Sequence, residues 1–400
     1  LDRDAVAERF ARATWTGIAE PGDRIAGLVV AALGAEAALS ALIDDRDGAQ
    51  LRHALADRDV DIAAEELAQA VARWTPRVSK PDALRAFRQA ARFGLTFVVP
   101  GDPEWPEGFS DLAEFAPLGL WIRGDRAKLT ALTRGVAIVG ARAATGYGEH
   151  VAVELAAALA DRGYAIVSGA AYGIDGAAHR AALASSADTV AFLAGGLDRF
   201  YPSGHEALLT RIVERGVAVS EVPCSVAPTK WRFLQRNRLI AAASLATVVV
   251  EAGARSGSLN TAGHAAALGR PLGAVPGPIT SSASAGCHRL LREYDAVCVT
   301  SADEIAELAP LPESLASAVV GTGSRTVEGV EPGGARSADP TGTRIRLLDA
   351  LSARSPRSLD KVAALSGLAV DRVRAELGLL ALEGAVRERG GGWVATPRAG

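Results

Sequence analysis

The chain has 400 residues, 49% of them hydrophobic and 22% charged, with a formal net charge of −3. That length exceeds one typical core, so two or three domains are expected, and the balance is that of a folded globular protein. No apolar run reaches the roughly 18 to 20 residues of a membrane-spanning helix, the first residues lack an export-signal pattern, and Cys224, Cys287 and Cys298 are too few and scattered for a disulfide framework or a zinc site, so a reducing cytoplasmic setting without membrane or metal is expected.

Residues 1–75 read as an Ala-rich helical domain, with apolar residues at helical spacing and breaks at Pro21-Gly22 and Gly34. Residues 76–133 form a mixed extension with strands near 96–99 and 118–122 and a turn at Pro100-Gly101-Asp102-Pro103. From 134 to 311 the pattern becomes regular. Apolar strands at 136–139, 164–167, 189–193, 217–219, 246–250 and 271–275 alternate with helical stretches, the first near 151–161. Near-continuous apolar strands alternating with helices predict an α/β fold: a Rossmann-like doubly wound parallel sheet, which binds ligands at the carboxyl ends of its strands. Residues 312–342 are rich in Gly, Ser, Thr and Pro and read as a linker. Residues 343–400 carry three helical patterns, at 344–351, 358–365 and 369–383, then a hairpin across Gly390-Gly391-Gly392, the pattern of a winged-helix domain.

No G-x-x-x-x-G-K-[ST] is present, and the first strand of the sheet leads into Gly140-Ala141-Arg142 rather than G-x-G-x-x-G. An arginine at a strand's carboxyl end suits a phosphate oxygen ahead of the alternative, a surface pair with a nearby carboxylate. The next strand ends in Ser168-Gly169 and runs through Gly173-Ile174-Asp175 into a helix, a tight turn with a capped helix or a ligand contact. Ser256-Gly257-Ser258 opens another helix that includes Thr261; N–H groups and short hydroxyls there suit an anion.

The stretch 230–238 weighs most. On a helix, Lys230, Phe233 and Arg236 share one face, so that two cations hold phosphates and a ring between them stacks a base; Asn237 and Arg238 follow directly. Trp231 points elsewhere and reads as packing. Between Val222 and Arg292 the sole acid is Glu251, against Lys230 and seven arginines, a cationic island in an acidic chain.

As a set, Gly140-x-Arg142, Ser168-Gly169-Ala170-Ala171-Tyr172-Gly173-Ile174-Asp175, Gly196-x-Asp198-x-x-Tyr201-Pro202, Ser220-Glu221, Arg236-Asn237-Arg238-x-Ile240, Glu251 with Ser256-Gly257-Ser258-Leu259-x-Thr261-Ala262, and Gly269-Arg270 through Pro276-Gly277 resemble the DprA/Smf family of DNA-processing proteins. Leu234, His205 and Tyr294-Asp295 depart from the family's usual residues. The resemblance implies a SAM-like helical N-terminal domain and a homodimer formed through the Rossmann-like domain. It also implies binding of single-stranded DNA without sequence preference, loading of the recombinase RecA in natural transformation and recombination, and no catalysis or cofactor. It makes Arg142, Lys230, Phe233, Arg236 and the Ser256-Gly257-Ser258 loop the expected DNA contacts.

Two alternatives compete. Rossmann-like nucleoside-monophosphate phosphoribohydrolases share a G-x-R strand end and a Gly-rich loop, but their loop carries a glutamate where this chain has Leu259-Asn260, and asparagine is no general base. Glu251 and Asp175 read more simply as hydrogen-bonding anchors. The third helix of the winged-helix domain holds Asp371, Arg372, Arg374, Glu376 and Glu383, too acidic a set for reading duplex DNA, so an accessory role is expected for it.

Overall fold

A computed structural model describes residues 2–45, 47–58, 60–311, 340–353 and 355–396. The predicted linker therefore lies largely outside the described residues. Five helices open the chain: α1 (Arg3–Ile18), α2 (Arg24–Leu33), α3 (Ala35–Asp44), α4 (Ala49–Ala56) and α5 (Ala64–Trp74). They close around Trp15 and Trp74, whose rings meet edge to face at 5.1 Å, with Leu42, Leu51 and Val29 beside them. Asp23 caps α2 by accepting the Ile25 and Ala26 N–H groups, and it also accepts from the Trp74 indole at 3.0 Å. The helical bundle lies tight on the following segment, for a Cβ on Gly27 would stand 2.0 Å from the Glu114 carbonyl oxygen.

Besides the strands and turn that the sequence predicts, the mixed extension holds an α-helix, α6 (Lys80–Arg92), and two 3-10 segments, Glu107–Phe115 and Arg126–Arg134. The signal for α6 was present: Ser79 accepts from the Asp82 N–H, and Ala83, Phe87 and Ala90 repeat at helical spacing. The strands β1 (Thr96–Val98) and β2 (Leu120–Gly124) follow.

The remaining strands are β3 (Gly135–Val139), β4 (Ala165–Ser168), β5 (Thr189–Leu193), β6 (Val217–Ser220), β7 (Ala246–Val249), β8 (Leu272–Ala274) and the short β9 (Val297–Cys298). Nine strands make one sheet in the order β1-β2-β6-β5-β4-β3-β7-β8-β9. Pairing is parallel from β6 through β9, while β1 and β2 run antiparallel at one edge. Alternation along β3 divides the core: Val136 and Ile138 face α7 (Gly146–Asp161) and α8 (Ile174–Ala184), and Ala137 and Val139 face the other layer. The first layer also takes α9 (Glu206–Arg215) and α13 (Ala302–Leu308). The second consists of α10 (Lys230–Ala242), α11 (Ser258–Ala267) and α12 (Ala285–Glu293). This is the doubly wound sheet that the strand pattern predicts. The chain winds outward from β3 through β6 and then returns to lay β7 on the other side of β3. The crevice of such a sheet therefore opens between β3 and β7.

The C-terminal unit is a winged-helix domain: α14 (Pro340–Asp349), α15 (Leu359–Ser366), α16 (Val370–Leu382) and the hairpin β10 (Val386–Arg389) with β11 (Gly392–Ala395). Its own core gathers Leu347, Val362, Val373, Leu377 and Val386. It packs on the rest through α14 against α10, and through the Arg77 guanidinium, which donates to the Ala364 carbonyl at 2.8 Å.

Candidate nucleic-acid interface

Four loops meet at the crevice: those after β3, β4, β5 and β7. The Ala141 N–H donates to the Glu251 carbonyl at 2.7 Å and ties the first to the last. Glu251 turns its carboxylate inward, where it accepts from the Thr145 N–H and hydroxyl, both at 2.8 Å, and so braces the start of α7. Asp175 is likewise committed, accepting from the Gly169 N–H at 3.1 Å and the Ala171 N–H at 3.4 Å. Burial raises the Asp175 pKa against the opposing pull of Arg236. Both acids hold the backbone of the crevice, the simpler role that the sequence suggests for them.

Arg236 forms the floor. It is 6% exposed, and its Nη1 donates to the Gly169 carbonyl at 2.9 Å and to the Phe192 carbonyl. Burial, with Arg142 adding repulsion, lowers its pKa to about 10 although Asp175 pulls the other way, so it stays charged at neutral pH. Ser168 is fully buried and donates its hydroxyl to the Ile138 carbonyl at 2.6 Å. A Cβ on Gly169 would sit 2.2 Å from the Arg236 Nη1. Gly169→Ala is therefore expected to displace the guanidinium and lower stability by about 1–3 kcal/mol, the usual range for overpacking; an unchanged melting temperature contradicts this.

The surface above the floor is aromatic and cationic. Arg142 is exposed, and its guanidinium lies 4.7 Å from the centre of the Phe233 ring, with Arg236 at 5.8 Å from the same ring. Tyr201 approaches Phe233 at 5.6 Å and is 48% exposed. Tyr172 is 45% exposed and accepts the Gly204 N–H at 3.2 Å. Tyr172 and Tyr201 are absent from the residues expected as contacts. Their place just after the carboxyl ends of β4 and β5 was the signal that could have found them.

Asn237 donates to the Gly257 carbonyl at 3.3 Å and to the Asn260 side-chain oxygen at 3.1 Å, joining α10 to the start of α11. In that turn the Ser256 and Ser258 hydroxyls lie 2.8 Å apart, Gly257 is exposed, and Ser258 and Thr261 are buried. The structure thus brings Arg142, Ser168, Gly169, Phe233 and Arg236 together, with the Ser256-Gly257-Ser258 turn tied to α10 through Asn237. Lys230 is exposed at the opening turn of α10. Arg238 stands apart. It is 3% exposed and grips Glu221 through both terminal nitrogens, at 2.6 and 2.7 Å.

The cationic island is smaller in space than along the chain. Arg232 pairs with Glu20, Arg238 with Glu221, Arg270 with Asp111 and Arg289 with Glu293. All four acids come from outside 222–292 or from its edge. Among the described residues, Arg142, Lys230, Arg255 and Arg292 are exposed and take part in no ion pair, and these cations remain for an anionic ligand.

Fold and site together define a Rossmann-like and winged-helix protein whose crevice is built from aromatic rings and guanidinium groups, with Glu251 and Asp175 engaged by backbone donors. The family model for DNA recombination-mediator protein A matches residues 96–310, and that for the DprA winged helix domain matches residues 331–392. A DNA processing protein DprA of Mycobacterium tuberculosis is 47% identical over 312 residues, covering 76% of this chain and 77% of that one. Protein Smf of Escherichia coli is 36% identical, covering 59% and 69%. In the X-ray structure of DNA processing protein A from Streptococcus pneumoniae, 27% identical, the match covers 75% of this chain and 97% of that one with a TM-score of 0.59. The chain belongs to the DprA/Smf family of DNA-processing proteins.

Proposed function

We propose that the chain binds single-stranded DNA in the crevice between β3 and β7, stoichiometrically and without bond chemistry. The observation that carries this reading is the stack of Arg142 on a half-buried Phe233, with the exposed Tyr201 ring beside it. Such a surface offers π-faces to any base and cations to the backbone, and it holds no pattern of donors that would read base edges. Membership in a DNA-processing family and relatives named as DNA processing proteins support DNA as the ligand. In the free protein the Arg142 guanidinium covers the ring face; an arriving base takes that face and frees the guanidinium for a phosphate. We extend the reading, on family resemblance, to a cytoplasmic homodimer joined through the Rossmann-like domain that hands its strand to RecA during transformation and recombination. The hydrolase alternative is disfavoured because Glu251 and Asp175 are both engaged by backbone donors.

The test is a titration of labelled single-stranded and duplex oligonucleotides of equal length. Single strands are expected to bind more tightly, and the slope of log affinity against log salt is expected at about −1.4 to −2.8 for two to four neutralised phosphates. Equal affinity for the duplex, or a slope near zero, sinks the reading.

A further inference from the structure

The turn of α10 that carries Lys230 is already occupied by another part of the chain. The Asp349 carboxylate, at the end of α14, accepts the Lys230 N–H at 2.6 Å. This N–H lies in the first helical turn, where backbone donors lack intrahelical partners and the helix end is positive. One residue on, the Arg346 guanidinium of α14 lies 5.3 Å from the centre of the Trp231 ring, and the Trp231 indole N–H is buried without a hydrogen-bond acceptor among the described residues. Arg232 donates to Glu20 at 2.7 and 3.1 Å, and Glu20 also holds Arg77, whose guanidinium reaches the Ala364 carbonyl of α15. A carboxylate on a helix's opening N–H and a planar cation on an aromatic ring resemble a phosphate and a base on the same two groups.

We propose that the winged-helix domain is an internal competitor of the nucleic-acid strand: α14 seats Asp349 and Arg346 on the first turn of α10, and a strand that reaches Lys230 and Trp231 displaces them. This rests on the reading of the crevice as a single-strand site and adds where the strand runs once the winged-helix domain lifts. It places Trp231 in the path as a second stacking ring. The contact contains its own weakness. Arg346, half-buried, lies near Arg77 and shares one carboxylate with it, and desolvation lowers its pKa to about 10. The coupling is reciprocal: the factor by which the seated α14 weakens strand binding is the factor by which a bound strand weakens the seat.

The experiment uses the full chain and a labelled thymidine 15-mer, read by fluorescence anisotropy at fixed salt. Asp349→Ala removes the competing carboxylate and is expected to tighten binding about fivefold, at the low end of usual couplings between sites. Arg142→Ala in parallel reports on the crevice itself. Binding lost in Arg142→Ala with Asp349→Ala at or below wild-type affinity overturns the competition alone. No wild-type binding overturns it together with the reading beneath it. Should Asp349→Ala misfold, hydrogen exchange on the wild-type chain decides. Saturating oligonucleotide is expected to speed exchange across 343–350 while protecting 230–236. Slower exchange in both segments, meaning that α14 closes over the strand, overturns the proposal.

Discussion

Arg142→Ala is expected to weaken binding of a thymidine oligonucleotide by roughly ten- to hundredfold at moderate salt, the size of a lost charged hydrogen bond of about 1.5–3 kcal/mol. Its salt slope is expected to fall by about 0.7, because one phosphate fewer is neutralised. The melting temperature is expected to stay at the wild-type value, since Arg142 is exposed and pairs with no carboxylate among the described residues. Phe233→Leu keeps most of the side-chain volume and removes the π-face. It is expected to cost about 1–3 kcal/mol of affinity while leaving the salt slope unchanged. The double variant separates a shared pocket from two independent contacts. The guanidinium sits on the ring in the free protein, 4.7 Å from its centre. The two losses are therefore coupled, and the double variant should lose less than the sum of the two single losses. Strict additivity makes Arg142 and Phe233 two independent contacts, and wild-type binding by Arg142→Ala removes this crevice from the DNA path.

The parallel sheet was legible because strands buried on both faces must be apolar throughout, as Val136, Ala137, Ile138 and Val139 are. The edges were less so. β9 has two residues, both exposed, and offers no run to detect. The extension's strands show in the sequence, yet nothing in it says that β2 joins the Rossmann-like sheet antiparallel to β6. The site was legible as a place more than as a list. The carboxyl ends of strands and the Phe233 face followed from spacing. Whether a cation is free did not, because Arg232 finds its carboxylate 212 positions away and Arg270 finds one 159 positions away. Local charge counting cannot see such partners. In Arg236-Asn237-Arg238 three neighbours point three ways: to the floor of the crevice, to α11 and to Glu221. A helix places consecutive side chains about 100° apart, so a polar triplet shares no single face.

The Glu20 cluster carries the largest expected effect on stability. Glu20 accepts from Arg232 and Arg77 and lies near Arg346, joining the helical domain, α10 and the winged-helix domain. Burial pushes its carboxyl pKa up, but Arg232 and Arg77 outweigh burial and hold it well below the ordinary value of 4.5. Glu20→Gln leaves the buried guanidinium groups uncompensated and is expected to destabilise the chain by about 3–5 kcal/mol, the cost of breaking a buried pair from one side. The pH dependence follows from the direction of the shift. A carboxyl whose folded pKa is depressed contributes its stability above the unfolded value and loses it as pH falls toward the folded one. The gap between wild type and Glu20→Gln should therefore be full at pH 7 and narrow steadily below about pH 4.5. Thermal melts of both proteins at pH 7, 5, 4 and 3 measure it. A gap that is absent at pH 7, or constant across the series, shows that Glu20 acts by packing and not by charge. In that case the docking of the winged-helix domain rests on the Arg77 bond to the Ala364 carbonyl, the Asp349 and Arg346 contacts with α10, and the packing of α14 on that helix.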